Sequence, residues 1–131
     1  MVSCNFVVVR FVPDKTVGEF VNIGVVMKCN DYEWFDYMIT DWNDRMESFF
    51  KRFEGVDKEL YDSAVGGLCE EIKLCEGNGG NIMNKIVKPL DGVIQFSDVY
   101  SGIAHADKLQ EQLIYLFQKY VSGWKLSQKE T

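Results

Sequence analysis

The chain has 131 residues, 47% of them hydrophobic and 14% aromatic, with a formal net charge of −6 and an isoelectric point near 4.8. This apolar content excludes a disordered chain, and the length fits a single domain, residues 1–131, with a real core. The acidic balance argues against sequence-independent binding to phosphate backbones, which needs clustered Lys and Arg, and Lys85 with Lys88 makes no such cluster.

Two apolar runs open the chain, Phe6 to Val12 and Phe20 to Met27, both rich in residues that suit a pleated, half-buried surface. Between them, Pro13-Asp14 opens a turn and Gly18 closes it, so the pair reads as a β-hairpin. Two registers fit. In one, Arg10 faces Asn22; in the other, Arg10 faces Val21 and has Glu19 as a diagonal neighbour. Either gives Arg10 a polar partner, which a partly buried guanidinium requires.

After Met27, Cys29-Asn30-Asp31-Tyr32 reads as a tight turn into a third strand, about Glu33 to Ile39, with apolar residues on both faces. Asp41 or Asn43 can cap a short helix in which Trp42, Met46, Phe49, Phe50 and Phe53 form one stripe, read as core. Glu54-Gly55 ends it, and Asp57 caps the next helix, whose inner face carries Leu60, Ala64, Leu68 and Ile72. Gly66-Gly67 inside that helix suggests close packing or a kink. Gly77 to Asn81 reads as a plain loop, because it lacks the Lys-Ser/Thr of a phosphate-binding loop. Ile82 to Val87 reads as a short helix stopped before Pro89, and Gly92 opens a fourth strand, Val93 to Phe96. Ser97 to Gly102 reads as irregular. Asp107 with Gln110 looks like a capping box for a last helix bearing Leu109, Leu113, Leu116, Phe117 and Tyr120; Trp124 trails it, and 127–131 are polar and expected to fray. The order β-β-β-α-α-β-α implies an α+β fold: a small antiparallel sheet of about four strands with helices packed on one side.

The unusual chemistry is concentrated on the hairpin. Arg10, Asp14, Glu19 and Asn22, joined by Asp41 in one arrangement, can bind a phosphate or carboxylate ligand or form an acid–base pair. The competing reading is structural: Arg10 with Glu19 or Asn22 satisfies its neighbours and pins the register. The lone His105 precedes a helix in a Ser/Gly-rich connection and has no nucleophile beside it, and Asp41 and Asp44 are explained as first-turn helix acids. No catalytic residue is assigned. The four cysteines, Cys4, Cys29, Cys69 and Cys75, lack metal-site spacing and read as reduced thiols. No metal and no cofactor is expected. Met1 leads straight into a strand without a basic leader, and no apolar run approaches a membrane span, so a cytoplasmic location is the expectation.

Arg10-Phe11-Val12-Pro13-Asp14 followed by Gly18-Glu19-Phe20-Val21-Asn22-Ile23-Gly24-Val25-Val26 resembles the N-terminal signature of an uncharacterised bacterial family, domain of unknown function 3037. Ile94-Gln95-Phe96-Ser97 and the helix carrying Leu109, Leu113, Leu116, Phe117 and Val121 are similar to its C-terminal part, while about 51–90 carries none of the resemblance. No activity is established for that family. Some members are encoded beside HipA-like serine/threonine kinases, which implies a protein partner.

Three function classes follow. The leading one is a non-catalytic interaction or regulatory module: an accessory partner of a HipA-like kinase, or an inhibitor of a host protein complex whose acidic surface mimics nucleic acid. It predicts a stable complex and an apolar surface patch rimmed by acids. The second is a small-ligand or nucleotide-binding domain using Arg10, Glu19 and Asn22, which predicts a pocket beside the hairpin. The third is an enzyme built on the same cluster. The expected partner is another protein or a second copy of the chain, not nucleic acid or membrane.

Overall fold

The computed structural model describes residues 1–14, 18–31, 33–76 and 93–122. The loop read at 77–81, the helix expected over 82–87, Pro89, Gly92, Trp124 and the polar tail lie outside the described residues. Among the described residues, five strands form an antiparallel sheet: β1 (Val2–Phe11), β2 (Val21–Cys29), β3 (Phe35–Ile39), β4 (Ile94–Phe96) and β5 (Tyr100–Ala104). Their order is β3-β2-β1-β4, and β5 also pairs with β1. β4 takes the C-terminal part of β1, Val9 to Phe11, and β5 takes Val2 to Phe6. The α+β class holds. The stretch 97–102, read as irregular, instead starts a fifth strand at Tyr100.

Among the described residues, three helices cover the sheet: α1 (Asp44–Phe50), α2 (Lys58–Glu76) and α3 (Leu109–Tyr120). They do not share one side. Alternation along β1 sends Val7, Val9 and Phe11 to one face and Val2 and Cys4 to the other. The first face packs on Met46 and Phe50 of α1 and Tyr61, Leu68 and Ile72 of α2. The second packs on Leu109, Leu113 and Leu116 of α3. Helices on both faces explain why β1 and β2 are apolar almost without interruption. The larger core centres on Phe11, whose ring meets Phe50 at 5.4 Å and Tyr61 at 5.2 Å, both edge-on. Each such pair is worth about 1 kcal/mol beyond the area it buries.

The caps of the first two helices are as read. Asn43 Oδ1 accepts from Met46 N–H at 3.0 Å, and Asp57 Oδ1 accepts from Leu60 N–H at 3.0 Å. The last helix differs: a 3-10 turn, Ala106–Lys108, precedes it, and neither His105 nor Lys108 makes a side-chain cap, so Asp107 and Gln110 form no capping box there. Gly66 and Gly67 are exposed in an unbroken α2, and a Cβ on either would meet nothing within 4 Å, so they mark no close packing.

The hairpin register combines the first expected pairing with a shift. Arg10 pairs with Asn22 and Phe11 with Val21, but Val9 pairs with Gly24, so Ile23 is an extra residue on β2. The Ile23 carbonyl turns to accept from Thr40 N–H at 2.8 Å. Next to it, β3 approaches β2 so closely that a Cβ on Gly24 would lie 2.6 Å from the Met38 carbonyl oxygen. Only glycine fits.

Ser97 makes the joint between β4 and β5. It is buried, its N–H donates to the Val8 carbonyl at 2.9 Å, and its Oγ accepts from Val8 N–H at 2.8 Å. The hydroxyl replaces the ladder partner that the break between the strands removes.

Candidate interaction surface

Arg10 and Asn22 stand opposite each other near the turn end of the hairpin, both half-buried. The Arg10 guanidinium lies 4.7 Å from the centre of the Phe20 ring, a cation–π contact worth about 0.5–1 kcal/mol at such a site. Asn22 Nδ2 donates to the Tyr120 carbonyl at the end of α3, 3.0 Å away. A backbone carbonyl only accepts, so this bond fixes the amide's orientation and turns Oδ1 elsewhere. Arg10 Nε and Asn22 Oδ1 are both buried without a hydrogen-bond partner among the described residues, one a donor and one an acceptor, on facing residues.

Glu19 is not part of that pair. It forms an ion pair with Arg52, just beyond α1, which ties the start of β2 to the helical layer on the opposite face. Asp14 stays in the turn, where its backbone carbonyl accepts from Gly18 N–H at 3.1 Å; Gly18, at φ 77°, takes the left-handed backbone conformation. Asp41 lies elsewhere again, acting on Tyr61 and Lys58. Burial foremost, with the Asp41 and Asp62 charges, pushes the Tyr61 hydroxyl well above its usual range, and that hydroxyl donates to the Thr40 carbonyl. The residues read from sequence as one cluster therefore divide in part: Arg10 stands opposite Asn22, Glu19 pairs with Arg52, and Asp41 acts on Tyr61 and Lys58.

Beside Asn22 a cleft is lined by Val21, Thr40, Asn43, Arg45, Met46 and Val121, among others. Its volume is about 40 Å³, against roughly 300 Å³ or more for a typical small-ligand site. His105 is exposed before the 3-10 turn. Among the described residues, no group of three or more His, Cys, Asp or Glu is placed to hold a metal ion, and no helix is long and apolar enough to cross a membrane.

The same end of the molecule exposes aromatic surface that sequence reasoning missed. Phe20 is 43% exposed and Phe49 is 38% exposed. The Arg52 guanidinium, itself largely in solvent, lies 5.8 Å from the Phe49 ring and 5.1 Å from Phe53. Phe49 falls at the edge of the stripe that buries Met46 and Phe50, which is why it remains half in water. The available signal was Phe49 to Arg52, spaced i, i+3 across the helix end. Two arginine–aromatic contacts thus lie at the hairpin end, Arg10 on Phe20 on one side and Arg52 on Phe49 and Phe53 on the other, with Glu19 paired to Arg52. Aromatic residues and Arg are the types enriched where proteins bind proteins.

Fold and surface define a small α+β domain with an antiparallel sheet covered on both faces and an arginine–aromatic patch at the hairpin end. The chain belongs to the family described as a protein of unknown function (DUF3037), whose model matches residues 6–121 and so includes the middle of the chain as well as its ends. No curated protein and no solved structure matches it.

Proposed function

We propose that the chain is a non-catalytic interaction or regulatory module that docks another protein through the hairpin end, as accessory partner of a HipA-like serine/threonine kinase. The observation that carries this reading is the exposure of Phe20, Phe49 and Arg52 at the hairpin end. Partly exposed phenylalanines, each in contact with a guanidinium group, are of the residue types enriched at binding hot spots. The hairpin's polar groups are largely committed to the fold: Asn22 to the end of α3, Glu19 to Arg52 and Arg10 to Phe20. That commitment favours a protein partner over a small ligand held by the hairpin's polar groups. An inhibitor of a host protein complex would use the same patch, and the partner's identity separates the two.

The test is co-expression of the chain with a HipA-like kinase, followed by size-exclusion chromatography. Co-elution as a complex that survives dilution supports the reading; separate elution at micromolar concentration refutes the kinase assignment. A second reading, self-association, rests on β5, whose outer edge has no strand partner among the described residues and whose Ile103 is 65% exposed. Ile103→Lys would then convert a dimer into a monomer in analytical ultracentrifugation.

A further inference from the structure

At the far end of the hairpin, Cys4 and Cys29 are partners in the β1–β2 register. The adjacent bond from Asn30 N–H to the Ser3 carbonyl, 2.9 Å, makes Ser3 and Asn30 a hydrogen-bonded pair. Cys4 and Cys29, one step along, are therefore a non-hydrogen-bonded pair; consistently, the Cys29 N–H turns outward to the Trp34 carbonyl at 3.0 Å. In such pairs the Cα atoms approach to about 4.5 Å, inside the range a disulfide spans. Burial first, and then Cys29 beside it, raise the pKa of the Cys4 thiol. Both cysteines are free and buried on the α3 face of the sheet. A packing role alone calls for no second thiol opposite the first.

We propose that Cys4 and Cys29 are a redox-active dithiol, closed to a cross-strand disulfide by thiol–disulfide exchange with a small-molecule disulfide. One cysteine thiolate attacks a sulfur of the oxidant, forming a mixed disulfide and expelling the first thiolate. The second cysteine thiolate then attacks the protein sulfur of that mixed disulfide and expels the other half. Two cysteine thiols are oxidised by two electrons, the oxidant is reduced to two thiols, and the two cysteine protons end on those leaving groups. Burial shields both sulfurs and keeps the Cys4 thiol protonated, so exchange runs through opening of the sheet end at β1 and β5. The bond then makes that opening redox-dependent, because it ties β1 to β2 at that end.

The full chain is refolded from denaturant with oxidised glutathione, quenched with an alkylating agent, digested and read by mass spectrometry. A control sample is oxidised in denaturant without refolding. The expected product of refolding yields a peptide joining Cys4 to Cys29, two hydrogens lighter than the two thiol peptides together, with Cys69 and Cys75 alkylated or carrying glutathione. The unfolded control spreads its linkages among the four cysteines. Amide exchange of Val2 to Phe6 should be at least several-fold slower in the oxidised form than in the reduced one. Alkylation of both Cys4 and Cys29 after refolding, or the same spread of linkages as in the unfolded control, would overturn the proposal. The comparison uses the wild-type chain alone, so no variant has to fold.

Discussion

Replacing Gly24 with alanine puts a methyl group where β3 already stands. The added Cβ would lie 2.6 Å from the Met38 carbonyl oxygen, 2.9 Å from Ile39 Cγ1 and 3.2 Å from Ile39 Cα. A carbon–oxygen contact settles at about 3.3 Å or more, so β3 must retreat by roughly 0.7 Å. The nearest atom is backbone, so no side-chain rotation relieves the clash. Overpacking of this kind costs about 1–3 kcal/mol, and weakening the 2.8 Å bond from Thr40 N–H to the Ile23 carbonyl adds about 1 kcal/mol. Reduced freedom of the unfolded chain returns up to about 1 kcal/mol. The net expectation is a loss of about 2 kcal/mol, read as a lower urea midpoint at unchanged slope. Gly66→Ala is the matched control: it lies exposed in α2 with nothing near its added Cβ, and should gain about 0.5–1 kcal/mol. A loss below about 0.5 kcal/mol for Gly24→Ala would refute the argument that close approach of β3 dictates glycine there.

Ser97→Ala leaves the Val8 N–H buried without an acceptor and should cost about 1–3 kcal/mol in the same assay; near-neutrality would remove Ser97 from the β4–β5 joint. Arg10→Met keeps the aliphatic stem and deletes an unpaired buried donor, so stability should stay within about 1 kcal/mol of wild type, whereas a larger loss would mean that the guanidinium holds the hairpin together. Stability should also fall in alkali. Burial foremost, then the neighbouring Cys29, pushes the Cys4 thiol from 9.0 up to about 11, and Tyr61 moves the same way. The Cys4 thiol therefore stabilises the fold fully below about pH 9 and loses that contribution as pH rises through about 11, while the Tyr61 contribution starts to fall only above about pH 10. Cys4→Ser should flatten part of this decline in thermal melts between pH 8 and 11, and an unchanged slope would contradict it.

Much of the fold was legible because its signals are local. The hairpin is carried by two Val/Ile/Phe runs around Pro13, Asp14 and Gly18, and the helix starts by Asn43 and Asp57, each acting within a few residues. What escaped depends on distant partners. Tyr100-Ser101-Gly102-Ile103-Ala104 has little strand propensity of its own and becomes β5 by pairing with Val2 to Phe6, nearly a chain length away. The placement of α3 on the second face was implicit in the unbroken apolar character of β1 and β2, a pattern that signals covering on both sides. The extra residue at Ile23 left no mark in sequence, because an apolar residue suits either register. Arg10 and Asn22 were legible as a pair. The Glu19–Arg52 link was not, since it joins the hairpin to a helix whose position only the packed core determines.

The docking patch is tested most directly by calorimetric titration of a HipA-like kinase with the wild-type chain and with a Phe20→Ser/Arg52→Ser variant. Both positions are exposed, so circular dichroism melts should place the variant close to wild type. Hot-spot residues of these types are worth about 2 kcal/mol or more each, so binding should weaken at least about 30-fold without loss of fold. Equal affinity for the two chains would contradict the hairpin end as the working surface.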